Sequence, residues 1–378
     1  MMIYMDNGAT TRVCGAAREA MLPFLEEQYG NPSASCSLGR KAQSALRSAR
    51  REMASAIGGE EEELLFVSNG SEANALALCG FLYPCRGRER HIVVSAIEHS
   101  SVLKTIRFLE KEGVEVSYAM PDANGFISPD EIERLIRPET VLVSVMYANN
   151  ETGVIQPVSK IGEIAHENGC CFHCDAVAAA GHRQLDVQEL HADLLTASGH
   201  KFGGPKGSGF LYLRKGRKIS PMIMGGEQEH GLRAGTENVP AIAGMQAALR
   251  ESLCRMEQNT EKMRTLREEL EGRLKMLDPS VRINGEGTDR LESHSSVTFP
   301  GISGERLRMF LDMDGICVSG GAACMTGSRE VSHVLLAMGR TPEDAESTVR
   351  FTLSPENEFD EIRIVTERIG HLLPRCRK

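Results

Sequence analysis

Two short stretches carry residue types that could do chemistry together: Cys171-Phe-His-Cys174-Asp175-Ala-Val177 and Ala197-Ser198-Gly-His200-Lys201-Phe202. An apolar run leads into each, Cys170 to Cys174 before the aspartate and Asp193 to Ala197 before the Ser-Gly-His-Lys turn. An acid and a lysine, each just past a buried strand, suit pyridoxal phosphate. The lysine amine would hold the aldehyde as a Schiff base. The carboxylate would pair with the pyridinium nitrogen, so that the ring can take up electrons.

The elements that must position this pair can be read from the apolar pattern. Strands are expected over residues 64–67, 92–96, 141–146, 170–174, 193–197 and 210–213, with helices between several of them, as over 100–112 and 158–168. That alternation predicts a mainly parallel sheet covered by helices. In such sheets ligands bind beyond the carboxyl ends of the strands. Polar groups follow five consecutive strands: Ser68-Asn-Gly-Ser71, Glu98-His99, Asn149-Asn-Glu-Thr-Gly153, Asp175, and Ser198-Gly-His-Lys201. After Asn238 the pattern changes. Met263, Leu266, Leu270 and Leu274 mark one face of a long helix, followed by a strand over 296–299, a helix over 304–313 and a strand over 316–318. The expected division is a large domain over 13–255 and a smaller α+β domain from 1–12 and 256–378.

Each motif has a plain structural alternative. Ser68-Asn-Gly-Ser71 opening a helix suits a phosphate, because first-turn amides and the positive helix end attract an anion and Gly70 permits close approach; it would also serve as an ordinary cap. Ser198 and His200 beside Lys201 add donors for the same anion, which favours the cradle. His99 could stack on a planar ring or shuttle a proton, or be a satisfied buried histidine. Cys324, within Ser319-Gly-Gly-Ala-Ala-Cys324-Met-Thr-Gly-Ser328, has the small neighbours that let a nucleophilic thiol travel, or it fills a turn. Arg350 could clamp a carboxylate through a bidentate pair or point to solvent. Cys171-Phe-His-Cys174 matches a metal or redox spacing, but the apolar run and the lack of a second such pair favour a buried strand and no metal.

Net charge is −9, which does not favour nucleic acid or an anionic membrane surface as a partner. No apolar run reaches transmembrane length and the N-terminus lacks a secretory pattern, so a cytoplasmic protein is expected. Eleven cysteines, odd in number and scattered, argue against a disulfide framework.

Taken together these residues resemble the cysteine desulfurases of the fold-type I pyridoxal phosphate superfamily. The match runs from Tyr4-Met-Asp-Asn-Gly-Ala-Thr-Thr11 and Gly30-Asn-Pro-Ser33 through the motifs above to Arg233-Ala-Gly-Thr236-Glu-Asn238, the Cys324 loop and Arg350. The long stretch before Ser332-His-Val-Leu335 resembles the subgroup that serves iron–sulfur cluster assembly and tRNA thiolation. The resemblance implies a seven-stranded, mainly parallel sheet, a homodimer, L-cysteine as substrate and a sulfur-acceptor protein as partner. It implies that Lys201 carries pyridoxal 5'-phosphate and moves protons, that Asp175 holds the pyridinium nitrogen, and that His99 stacks on the ring. Ser71, Ser198 and His200, with the Gly70 backbone and Thr236 of the partner subunit, would bind the phosphate. Asn149 and Arg350 would hold the substrate carboxylate, and Cys324 would take the sulfur as a persulfide, releasing alanine.

Departures are as specific as the match. Ala178 stands where the family usually has a glutamine contacting the phenolic oxygen, Cys36 where relatives often carry histidine, and Met325 where many have a small polar residue. Selenocysteine lyase, or another β-elimination on a cysteine-like amino acid, uses the same cofactor and is the competing enzymatic reading. A non-catalytic scaffold is the competing reading of another class.

Overall fold

The computed structural model describes residues 2–83, 90–320 and 331–378. Its strands, in chain order, are β1 (Ile3–Tyr4), β2 (Leu64–Val67), β3 (His91–Ser95), β4 (Glu115–Ala119), β5 (Thr140–Ser144), β6 (Cys171–Asp175), β7 (Leu194–Ser198), β8 (Gly209–Leu213), β9 (Arg282–Asn284), β10 (His294–Thr298), β11 (Ile316–Cys317) and β12 (Thr348–Thr352). The first four helices are α1 (Gly15–Glu26), α2 (Ser37–Ala56), α3 (Gly70–Leu82) and α4 (Ser100–Lys111).

Seven strands form one sheet in the order β2-β8-β7-β6-β5-β3-β4. The run from β7 to β4 is parallel, and β8 lies antiparallel between β2 and β7. Strands buried on both faces read as continuous apolar runs, and β2, β3 and β6 do so. The edge strand β4, Glu115-Val-Ser-Tyr-Ala119, is mostly half-buried and is absent from the expected strands. Chain order reverses between β3 and β5, since β4 extends the sheet one way and β6 and β7 the other. Such a switch point opens a crevice at the carboxyl edge.

Separate apolar cores cover the two faces of this sheet. Phe172 and Cys174 pack into one, and Cys171 and Leu142 into the other. Cys171 and Cys174 therefore point to opposite faces of the sheet, as residues three apart on a strand must, and cannot share a ligand. A third core lies under the sheet β12-β10-β9. It takes Leu266, Leu270 and Leu274 from the helix Met256–Leu277, together with Ile3 and Met5 from the N-terminus. β1 pairs in parallel with β11, so the start of the chain is built into this region.

One loop is held against its backbone preference. Glu229 (φ 47°) and His230 (φ 59°) both lie in the left-handed region, which costs non-glycine residues of order 1–3 kcal/mol each. What over-determines them is buried. Arg50 of α2 donates to both Glu229 carboxylate oxygens at 2.6 and 2.7 Å, and the Phe66 amide donates to one of them at 2.8 Å. The Arg50 guanidinium also lies 4.6 Å from the Phe66 ring centroid. Breaking a buried pair by removing one partner strands the other charge. Glu229→Ala is therefore expected to lower unfolding free energy by about 3–5 kcal/mol in urea titration, whereas an exposed control such as Glu257→Ala should change it by less than about 0.5 kcal/mol.

Candidate active site

A cavity of about 420 Å³ opens at the carboxyl edge of the large sheet, lined by Gly70, Ser71, His99, Asp175, Lys201 and Arg350 among others. Asp175 is the last residue of β6 and Ser198 the last of β7, each still within its strand. In parallel register Asp175 lies beside Thr196, so the chain leaving β7 passes next to the aspartate before it reaches Lys201.

Asp175 is almost fully buried and held at both oxygens. The Val177 amide donates to Oδ1 at 3.0 Å and Asn74 Nδ2 to Oδ2 at 2.7 Å. Close by, Glu98 is wholly buried, with its Oε1 accepting from the Met146 amide at 2.6 Å. Burial, then the charge on Asp175, push the Glu98 carboxyl well above its usual range and favour its neutral form. Lys201 ends a short helical turn after β7 and donates to the carbonyls of Gly8 and, at 3.0 Å, Ala9.

The capping alternative for the Ser68–Ser71 motif is realised by Asn69 alone, and the rest of the motif stays at the cavity. Asn69 caps α3 by accepting from the Glu72 amide at 2.9 Å. That leaves the backbone of Gly70 and the hydroxyl of Ser71 at the cavity wall. A Cβ on Gly70 would sit 2.7 Å from Val177 Cγ2, so only glycine fits this wall. The Ser198 hydroxyl is buried with no hydrogen-bond partner among the described residues, an arrangement that costs free energy unless a ligand completes it. His200 Nδ1 lies 3.3 Å from Thr10 Oγ1. Burial, and then the neighbouring Lys201 and Lys206, bring its pKa down to about 4, which favours the neutral imidazole.

Arg350, on β12, is buried and reaches the cavity. Its Nη1 donates to the Asn150 carbonyl at 2.8 Å and its Nη2 to Asp6 at 2.9 Å, while Nε has no partner among the described residues. Asn149, expected at the substrate carboxylate, makes its present contacts within its own turn and with Ile97. Its Nδ2 donates to the Ile97 carbonyl at 2.9 Å, and its Oδ1 accepts from the amides of Glu151 and Thr152 at 2.9 and 3.0 Å. Fully buried and spent on shaping its own turn, Asn149 does not line the cavity, whereas its neighbour Asn150 does.

Thr236 is exposed and does not line the cavity of its own chain. Its loop is tied to the cradle by Arg233, which donates to Glu72 in the first turn of α3 at 2.7 Å. Cys324 lies outside the described residues. The chain on either side of it is anchored at the site. Ser319 and Arg350 exchange backbone hydrogen bonds at 3.2 and 2.8 Å. Ser332 Oγ donates to the buried Glu151 at 2.5 Å, and His333 Nε2 donates to the Glu98 carbonyl at 3.0 Å. Cys36 is exposed and off the cavity; Cys14, which drew no attention in the sequence, lines it. Ala178 also lines it and offers no side-chain donor.

A lysine, a carboxylate, an unpartnered hydroxyl at a glycine-walled helix start and a buried arginine with an open Nε fit pyridoxal phosphate bearing an amino acid. On this sheet they define a fold-type I pyridoxal phosphate protein. The chain belongs to the aminotransferase class-V family, whose model matches residues 3–365, and within that family to the cysteine desulfurases. It is 44% identical over 376 residues to cysteine desulfurase IscS of Methanosarcina thermophila, covering 99% of this chain and 93% of that protein. Cysteine desulfurase IscS of Dictyoglomus turgidum is 39% identical over 375 residues, covering 99% and 95% of the two chains. Among solved structures, a NifS-like protein superposes with TM-score 0.93 at 34% identity, covering 99% of this chain and 100% of that one. SspA in complex with cysteine superposes with TM-score 0.83, also at 34% identity, covering 94% and 100%.

Beneath the site, His173 of β6 is buried between Ser144 Oγ at 2.8 Å and Thr196 Oγ1 at 3.3 Å. Burial brings its pKa from 6.5 down to about 4. A depressed folded value means the unfolded chain binds the proton first. The stabilisation is complete above about pH 6.5 and is lost as pH falls towards about 4. In His173→Gln, stability measured across that window should fall by about 3 kcal/mol less than in the parent chain.

Proposed function

We propose that this protein removes sulfur from L-cysteine, leaving alanine, and carries it as a persulfide on Cys324 to an acceptor protein for iron–sulfur clusters or thiolated products such as tRNA. The observation that carries the reading is the convergence of Lys201, Asp175, the unpartnered Ser198 hydroxyl and the buried Arg350 on one cavity. The relatives named for cysteine desulfurase activity, and the neighbour solved with cysteine, support the choice of substrate.

Bound pyridoxal phosphate supplies an electron sink for charge developed at the substrate Cα. In this reading the Lys201 amine would hold the cofactor, and the same amine would move the proton at the substrate Cα. Asp175 would hold the proton on the ring nitrogen, and His99 would help hold the ring. Gly70, Ser71, Ser198 and His200 bind the phosphate, completed by Thr236 of the partner subunit. A homodimer is supported by Thr236 facing solvent in its own chain, on a loop joined through Ala234 to the exposed Met222-Ile-Met224 segment. Arg350 orients the substrate carboxylate, with Asn150 at the same wall. The Cys324 sulfur forms the new S–S bond as the substrate C–S bond breaks, its electron pair remaining with the three-carbon fragment, which is protonated to alanine. The core under β12-β10-β9, separate from the two that cover the large sheet, supports a division into a larger and a smaller domain near residue 255, with the cavity lined from both.

No helix among the described residues is long and apolar enough to cross a membrane. The purified protein given L-cysteine and a reductant should release sulfide and alanine in equal amounts. Mass spectrometry after one turnover without reductant should find the added sulfur on the Cys324 peptide. Undiminished persulfide in Cys324→Ser, or turnover restricted to selenocysteine, would reject this assignment.

A further inference from the structure

Asn74 and Ser101 belong to none of the roles above, yet they join two residues that have them. Asn74 is almost wholly buried in the second turn of α3. A carboxylate only accepts, so the amide atom facing Asp175 Oδ2 at 2.7 Å must be Nδ2. The same nitrogen lies 2.9 Å from Ser101 Oγ. Both of its hydrogens are therefore committed, one to the aspartate and one to the serine. Asn74 Oδ1, meanwhile, is buried with no partner among the described residues. The amide is held at a cost, for its two donors.

Ser101 passes the polarity on. Its Oγ accepts from Asn74, so its own hydrogen is available to His99 Nδ1, 2.8 Å away. Its backbone amide also donates to Nδ1, at 3.1 Å. A backbone N–H cannot accept, so Nδ1 must be the unprotonated ring nitrogen and the neutral imidazole carries its hydrogen on Nε2. We propose that Asn74 and Ser101 are positioning residues forming one hydrogen-bond chain between Asp175 and His99, its donors running outward from Asn74 to both ends, which together with the Ser101 amide holds His99 as the Nε2–H tautomer and couples its placement to that of the aspartate.

The catalytic meaning of this relay rests on the cofactor reading given above, in which Asp175 and His99 address the same ring. With Nε2 as the protonated nitrogen, His99 presents a donor rather than a lone pair at the cavity. A change at Asn74 should disturb both ends of the relay, whereas a change at Ser101 should disturb only the histidine.

The test is nitrogen NMR of the holoenzyme carrying 15N-labelled histidine, with His99→Gln identifying the resonances. At about pH 8, above the ordinary imidazole range, His99 should show an unprotonated Nδ1 and a protonated Nε2. Ser101→Ala, which keeps the backbone amide bond to Nδ1 but loses the hydroxyl, should shift the Nδ1 resonance with the cofactor absorbance unchanged. Its kcat should fall about five- to ten-fold at nearly constant KM, in keeping with the loss of one neutral hydrogen bond. Ser101→Thr, which restores the hydroxyl, should return both readouts to the parent values. Asn74→Ala should alter the histidine spectrum and the cofactor absorbance together. Bound cofactor with His99 protonated on Nδ1, or a Ser101→Ala spectrum identical to the parent, overturns the relay and leaves the cofactor reading standing. The expected His99 tautomer in a protein that takes up no pyridoxal phosphate supports the relay and rejects the cofactor reading.

Discussion

Parallel pairing of β6 with β7 is the constraint on which the site depends. It places Asp175 beside Thr196, two residues before the end of β7, so that Ser198, His200 and Lys201 all emerge next to the aspartate. Two strands separated by a crossover thus deliver a carboxylate, an unpartnered hydroxyl and a lysine to one sheet edge. The switch in strand order between β3 and β5 provides the opening. Helix starts at α3 and α4 turn their first-turn amides and capping side chains towards it.

Bringing so many polar groups out of water is costly, and the protein limits the cost by limiting the number of charges. Glu98 is pushed towards its neutral form beside Asp175, and His173, His200 and His294 are all shifted towards neutral imidazole, chiefly by burial. Where a charge must stay buried it is given several partners. Asp193 takes His166 at 2.9 Å, Arg217 at 3.0 Å and the Phe172 amide at 2.8 Å, which locks the entry to β7 against β6. Two of the buried donors left unpaired among the described residues, Ser198 Oγ and Arg350 Nε, belong to residues that line the cavity, where a ligand would meet them.

The sheet and the lysine turn were legible because their signals are local. Strands buried on both faces must be apolar throughout, and the turn after β7 carries its polar residues consecutively. What could not be read depends on facing and distance. β4 is a half-buried edge strand, so its apolar pattern is weak. Asn149 and Asn150 are identical in type, and only the backbone decides which turns to the cavity. Arg50 and Glu229 are 179 residues apart, and nothing near either announces the other. Asn74 and Ser101 look like ordinary helix residues until α3 and α4 are packed side by side.

The central claim is that Lys201 is the residue to which pyridoxal phosphate is attached, because the β6–β7 register delivers it there. Borohydride reduction of the protein as isolated, followed by proteolysis and peptide mapping, tests it without reference to any substrate. The account predicts the pyridoxyl group on Lys201, with the label absent from Lys201→Ala. A label on Lys206 or on any other lysine would contradict it.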